Sequence, residues 1–242
     1  PKDGVKYKNR SDDFHGIAIS GPNSRKLLSR ICRDNVSTEA LKFRDTRETF
    51  VGGVPAILNR ISFSGELGYE IYVEPQFQLK LFEEIETNGK DLGLKLYGSR
   101  ALMSLRLEKN WGAWTLDFRP DFTALESGLD AFINWDKNFV GKEAALNEKK
   151  QGPNKKLVTM TVDTKNIDVT NDEAILKDNK CVGYVTSGGY AHHVKKSMAL
   201  GYVPINFSKH ETILDIEING IFYKAQVTDR PLYDANGGRM KS

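Results

Sequence analysis

Two hydrophobic periodicities divide this 242-residue chain. From Phe14 to about Leu146, stretches with alternating apolar positions are followed by stretches with apolar residues three or four apart, so strands alternate with amphipathic helices. His15-Gly16-Ile17-Ala18-Ile19-Ser20 reads as a strand. Gly21-Pro22 suits a turn into a helix with Pro in its first turn, and Leu27, Leu28 and Ile31 then share a helical face. Val54 to Ile61 and Gly68 to Glu74 are the clearest strands of the β region that follows. Phe77, Leu81 and Ile85 at i, i+4 and i+8 predict the next helix, with Gly89 as its stop signal. Ser99 is placed to cap a further helix carrying Leu102 and Leu105.

After Gly152-Pro153 the helical period vanishes. Lys156 to Asp163, Cys181 to Ser187, Ser197 to Val203 and Ile213 to Thr228 are short β-type runs separated by Asn, Asp, Gly and Lys clusters. Asn219-Gly220 splits the last run into a hairpin, because a type I′ turn needs positive φ at both central residues. The expectation is an α+β protein: an α/β-patterned domain over residues 1–150, then a small all-β barrel or sandwich over 151–242.

Composition narrows the function classes. With 39% hydrophobic and 28% charged residues, the chain has the make-up of a globular protein of one large or two modest domains. No run approaches the ~18 apolar residues of a membrane span, and Pro1 to Arg10 is polar and basic, unlike a secretory signal. A net charge of +3 is too small to argue for nucleic acid. Cys32 and Cys181 are far apart with no CxxC spacing, so no metal site on cysteine is expected and a reducing compartment is favoured. The pairs Lys149-Lys150, Lys155-Lys156 and Lys195-Lys196 read either as solvated surface or as weak attraction for an anionic ligand tail.

Candidate chemistry gathers at a few places. In Ser64-Gly65-Glu66-Leu67-Gly68-Tyr69-Glu70-Ile71-Tyr72-Val73-Glu74, alternation puts Tyr69, Ile71 and Val73 on one face and Glu70, Tyr72 and Glu74 on the other. That second face either meets water or presents a carboxylate to a ligand with paired N–H donors. Arg100 opens a helix, where a cation opposes the macrodipole at a cost of about 0.3–1 kcal/mol, so an anion nearby is expected, from the protein or from a ligand. Trp111, Trp114, Asp117 and Phe118 form an aromatic-rich exit from that helix, either packing or a wall for a planar ring. His192-His193 is read as turn surface, or as a proton carrier; adjacent extended residues point opposite ways, so joint ligation of a metal is not expected. No GxGxxG, Walker or Gly-x-Ser-x-Gly pattern occurs.

Taken in order, several blocks resemble the glycine-cleavage aminomethyltransferase, or T-protein, family. They are Ile17 to Pro22, Ser64 to Glu70, Arg100, Leu105 to Glu108, Leu125-Glu126-Ser127-Gly128-Leu129, Phe139 to Ala144, Val185 to Gly188 and Ala199 to Val203. Arg106-Leu107-Glu108-Lys109 with Trp114, and Asp117 to Thr123, look closer to the dimethylglycine and sarcosine dehydrogenase branch. The resemblance implies part of the aminomethyltransferase folate-binding fold followed by a C-terminal β-barrel. It also implies tetrahydrofolate as cofactor, which captures a one-carbon unit from a small N-methylated amine as 5,10-methylene-tetrahydrofolate. By the same resemblance Glu70 binds the pterin and Arg100 lines its pocket; Tyr72, which alternation puts on the Glu70 face, joins them as a candidate cofactor-binding residue. Phe63 stands where T-proteins have Tyr, and Trp114 replaces a family Tyr.

In that family the aspartate acting at the folate nitrogen precedes the Ser20-Gly21-Pro22 block. Asp3, Asp12 and Asp13 lie too close to the match to replace it, so no catalytic residue is assigned and the chain is expected to be N-terminally incomplete. FAD is expected only in a flavin domain of the same polypeptide, as a partner outside this chain. The family implies a cytoplasmic location, or the mitochondrial matrix in a eukaryote. Two alternatives stand beside this reading: a non-catalytic folate-binding or docking module, and a folate-dependent demethylase of the same fold acting on a sulfonium substrate.

Overall fold

A computed structural model describes residues 4–242, so Asp3 lies outside the described residues. The chain forms two compact units. One comprises the residues up to Gly98 together with Asn236–Ser242, and the other comprises Ser99–Ala235. The chain therefore leaves the first unit once and returns to it for its final segment.

The first unit is a four-stranded antiparallel sheet with helices on one face. Its strands are β1 (His15–Ser20), β2 (Thr46–Val51), β3 (Val54–Asn59) and β4 (Gly68–Val73), in the order β1-β4-β3-β2. Helix α1 (Ser24–Ile31) follows Gly21-Pro22, as the turn signal predicts, and buries Leu27 and Leu28. Helix α2 (Gln78–Gly89) buries Leu81 and Ile85, the i+4 and i+8 positions of the expected stripe, with half-buried Phe77 packed beside them. Ile19, Val54, Leu58, Tyr69, Ile71 and Val73 meet these side chains from the sheet. Gly89 ends α2 for a packing reason: a Cβ there would come within 2.9 Å of Leu94. The left-handed residue that closes the chain reversal is Gly93, at φ 74°.

Strand β2 has little apolar signature. Only Thr49 and Val51 of Thr46–Val51 are buried, and Phe50 is exposed. It is set by Gly52-Gly53, whose φ values of 61° and 78° close a two-residue hairpin pairing Val51 with Val54.

The second unit holds α3 (Ser99–Glu108), α4 (Lys142–Gln151) and a closed antiparallel barrel. The barrel strands are β5 (Lys155–Val162), β6 (Ala174–Lys177), β7 (Lys180–Ala191), β8 (Lys196–Pro204), β9 (Ile213–Ile218) and β10 (Ile221–Thr228). They run in the order β10-β5-β8-β7-β6-β9, and the hairpin at Asn219-Gly220 (φ 51° and 80°) pairs β9 with β10. Met160, Ile175, Val185, Leu214, Ile216 and Val227 fill the interior. Closure leaves no free strand edge, so the alternatives of barrel and sandwich resolve to a barrel. Ser99 is the first helical residue of α3 rather than its cap. The residues that α3 buries are Arg106, Leu107 and Glu108, while Leu102 and Leu105 are half-buried. Helix α4 buries no residue, which is why hydrophobic periodicity does not reveal it. A short C-terminal turn of helix, α5 (Gly238–Lys241), belongs to the first unit.

Candidate functional site

In the first unit, β4 turns Tyr69, Ile71 and Val73 into the core and leaves Glu70 and Tyr72 half-buried on the opposite face. The Tyr72 hydroxyl donates to Glu70 Oε2 at 2.8 Å. Its ring lies over Gly16, the residue paired with it on β1; a Cβ on Gly16 would sit 3.0 Å from Tyr72 Cε1. Strand register builds a row across this face: Ala18 lies opposite Glu70, Glu70 opposite Asn59, and Asn59 opposite Thr46. Directly paired residues share a face, so these four side chains are neighbours.

Two electrostatic features mark this row. Among the described residues, Tyr72 alone hydrogen-bonds the Glu70 carboxylate. Beside it, Asn59 Oδ1 is buried with no hydrogen-bond partner, a situation costing roughly 1–3 kcal/mol. The hydrogen bond to Glu70, then burial, raises the ionisation of Tyr72. Partial burial, then the Glu70 charge, raises that of Tyr97. Both phenols therefore stay neutral donors near a carboxylate. Tyr97 also lines a cleft of about 460 Å³ with Ala18, Ser20, Leu27, Phe82 and Leu94. Phe63 is half-buried in the loop leading into β4.

Arg100 and Trp114 belong to the second unit. Arg100 is exposed in the first turn of α3, and no carboxylate pairs with it among the described residues. It borders a cleft of about 780 Å³ lined also by Ser104, Thr170, Asn171, Ser187 and His192. Trp114 is 80% exposed and touches Phe118 edge-on, with ring centroids 6.1 Å apart. Core packing therefore does not account for Trp114.

Asp117 does pack, as a buried counter-ion. Arg106, fully buried on α3, donates to Asp117 Oδ2 at 2.7 Å, to Ser187 Oγ at 2.6 Å and to the Trp111 carbonyl at 2.8 Å. The Ala113 amide and the Ser187 hydroxyl also donate to Asp117, at 2.8 and 2.9 Å. Burial pulls the Arg106 guanidinium below its ordinary range and Asp117 opposes that shift. The network fixes the loop from Trp111 to Asp117, and so the position from which Trp114 projects.

His192 and His193 lie in the turn between β7 and β8 and meet different partners. His192 meets Tyr190 edge-on, at 5.1 Å between centroids. The buried Glu108 takes hydrogen bonds from the His193 amide at 2.7 Å and pairs with its Nδ1 at 2.6 Å. Tyr233 stacks on that imidazole at 4.2 Å. Lys109 holds the same segment through the carbonyls of Tyr233 and Asp234, at 3.2 and 2.5 Å.

The residues singled out in the sequence thus fall into two groups: Phe63, Glu70 and Tyr72 in the first unit, Arg100 and Trp114 in the second. Glu70 and Tyr72 are in direct contact. Asn59 and Tyr97 were missed. The Gly52-Gly53 pair was the available signal for Asn59, because a two-residue turn there dictates the β2–β3 register.

Comparison with known proteins places its boundary between residues 137 and 155, later than the Gly98/Ser99 division of the two units. Residues 1–137 match the family described as GCVT N-terminal domain, and residues 155–234 match the glycine cleavage T-protein C-terminal barrel domain. Human mitochondrial dimethylglycine dehydrogenase is 34% identical over 230 residues, covering 94% of this chain and 27% of that protein. An aminomethyltransferase of Natranaerobius thermophilus is 32% identical over 233 residues, covering 96% of this chain and 63% of that one. The glycine cleavage system aminomethyltransferase T of Bartonella henselae has the same fold, with a TM-score of 0.81 at 23% identity over 92% of this chain and 60% of that one. The chain therefore spans about a quarter of the dehydrogenase and under two thirds of the aminomethyltransferases.

Proposed function

The chain belongs to the glycine-cleavage T-protein family, and from that we propose that it binds tetrahydrofolate through Glu70 and serves in folate-dependent one-carbon transfer. The observation carrying this reading is the half-buried Glu70 carboxylate, oriented by Tyr72 at 2.8 Å and otherwise without a hydrogen bond among the described residues. A carboxylate so held fits a ring edge with adjacent N–H groups, since it accepts two parallel charge-assisted bonds. Tetrahydrofolate supplies the two nitrogens that take up the one-carbon unit. The protein's part is to hold the ring: Glu70 takes its N–H edge, Tyr72 fixes the Glu70 rotamer, and Phe63 offers an aromatic face. Arg100 and Trp114 are kept, from the family resemblance, as proposed cofactor-binding residues, the one a cation and the other a stacking surface. Positioning of this kind accelerates a reaction by replacing a chance encounter with a held geometry.

Similarity to the dimethylglycine dehydrogenases supports an N-methylated amine, dimethylglycine or sarcosine, as the source of the one-carbon unit. Oxidation of that amine is assigned to an FAD-bearing domain and capture of the one-carbon unit to these residues. A functional boundary near residue 150, between folate-binding and barrel regions, is part of this proposal; the gap between the two family matches supports it, while the compact units divide at Gly98/Ser99. Cytoplasm, or the mitochondrial matrix in a eukaryote, is the assigned compartment; no described helix is long and apolar enough to cross a membrane.

Calorimetric titration of the whole chain with tetrahydrofolate tests the reading. Glu70→Gln keeps the shape and removes the charge, and should weaken binding roughly ten- to a hundredfold, the worth of charge-assisted hydrogen bonds. A chain that binds tetrahydrofolate equally well with and without the Glu70 charge would refute the assignment.

A further inference from the structure

We propose that Asn59 is a second ligand-reading residue in the first unit, its side-chain amide accepting from the exocyclic amine of a 2-aminopyrimidinone ring whose other N–H groups Glu70 holds. The proposal rests on the folate reading above and adds to it a determinant that the family resemblance did not supply.

Three observations carry it. The β3–β4 register sets Asn59 directly opposite Glu70, on the same face of the sheet and at the spacing of a cross-strand pair. Asn59 Oδ1 is buried and takes no hydrogen bond from the protein, and buried acceptors in folded proteins are otherwise nearly always satisfied. Its neighbours do not supply the missing donor. The Thr46 hydroxyl opposite Asn59 makes no hydrogen bond to Oδ1, Ala18 across from Glu70 has no polar side chain, the Glu70 carboxylate is itself an acceptor, and the nearby Tyr72 hydroxyl is committed to Glu70.

Two acceptors side by side are a poor arrangement unless a donor-rich group comes between them. A 2-aminopyrimidinone edge is such a group, because it presents a ring N–H and both hydrogens of an amine in one row. Glu70 takes the ring N–H and the nearer amine hydrogen as a parallel pair. The remaining amine hydrogen then points away from the carboxylate, toward the acceptor that its strand partner offers.

The test compares two ligands on the whole chain by calorimetry: tetrahydrofolate, and an analogue with a methyl group in place of the 2-amino group. Variants Asn59→Ala and Asn59→Ser are titrated with both, after thermal melts confirm that they are folded; Ser serves if Ala does not fold. The expected result is a loss of about fivefold or more for tetrahydrofolate, with the analogue's affinity unchanged. Equal weakening of both ligands would reduce Asn59 to a structural role and overturn the proposal. So would unchanged affinity for both. If the unmutated chain binds neither ligand, the folate reading itself falls, an outcome distinct from binding that ignores Asn59.

Discussion

Tyr202 shows how strongly burial between a barrel strand and the segment packed on it acts on a single group. It is 2% exposed, its ring stacks on Phe122 with centroids 3.4 Å apart, and its hydroxyl donates to the Asp117 carbonyl at 3.0 Å. Burial pushes its ionisation up to about 12; the Asp117 charge adds to this and the Ser127 hydroxyl opposes it. The unfolded chain ionises the same phenol near 10. The fold thus favours the protonated form, so this contribution is complete below pH ~10 and is lost as pH rises through 12. The loss amounts to roughly 2–3 kcal/mol. Urea midpoints measured between pH 9 and 12 should fall accordingly, and Tyr202→Phe should flatten that fall. A phenolate absorbance titration in which the last tyrosine ionises in step with the urea-unfolded chain would contradict it.

At the scale of elements, the barrel depends on glycines that let backbones approach. A Cβ on Gly183 of β7 would lie 1.9 Å from the Tyr202 carbonyl oxygen on β8. Gly183→Ala is therefore expected to force β7 and β8 apart at their pairing and to destabilise the barrel by several kcal/mol, well beyond the ~1 kcal/mol of an ordinary surface change. Thermal melts of the two proteins decide it; an unchanged midpoint would mean that the strand shifts freely. This dependence also explains what could be read from the sequence. Strands with one apolar face, such as Gly68–Val73, declare themselves by alternation, and so do helices with a buried stripe at Leu81 and Ile85. Elements held in place by their neighbours do not. Helix α4 buries nothing, and β2 is carried by the Gly52-Gly53 turn. The short β6 has four residues, of which Ile175 and Leu176 are buried. That Glu70 and Tyr72 share a face was legible because they sit on an alternating strand, whereas the ligand role proposed for Glu70 comes from the family resemblance. Asn59 was not, because its meaning comes from the strand across from it.

At the scale of the whole molecule, the return of the final segment to the first unit is a structural commitment. Buried Arg60 donates to the carbonyls of Lys241 at 2.9 Å and Ser242 at 2.6 Å, besides that of Leu41 at 2.8 Å. Arg25 reaches the same Ser242 carbonyl at 2.6 Å, and Arg239 pairs with Glu66 at 3.4 Å. A chain ended at Ala235 leaves the Arg60 charge short of acceptors in a buried place. The first unit should lose on the order of 2–4 kcal/mol, and the barrel none. Hydrogen exchange resolves the two, with faster exchange expected in β1–β4 and unchanged protection in β5–β10. Uniform loss of protection across both would refute the assignment of the segment to the first unit alone.

The same return governs the order of assembly on the ribosome. Domains generally fold as they emerge, the N-terminal one first. Here the unit that emerges first needs residues made after every strand of the barrel, since Arg60 and Lys241 are 181 positions apart. The barrel is an insertion within the first unit, and its folding shortens the flexible span that the returning segment must close, which lowers the entropy of that closure. A nascent chain stalled just short of Asn236 would hold a finished barrel and a first unit still open, so the unit begun before the barrel is completed after it.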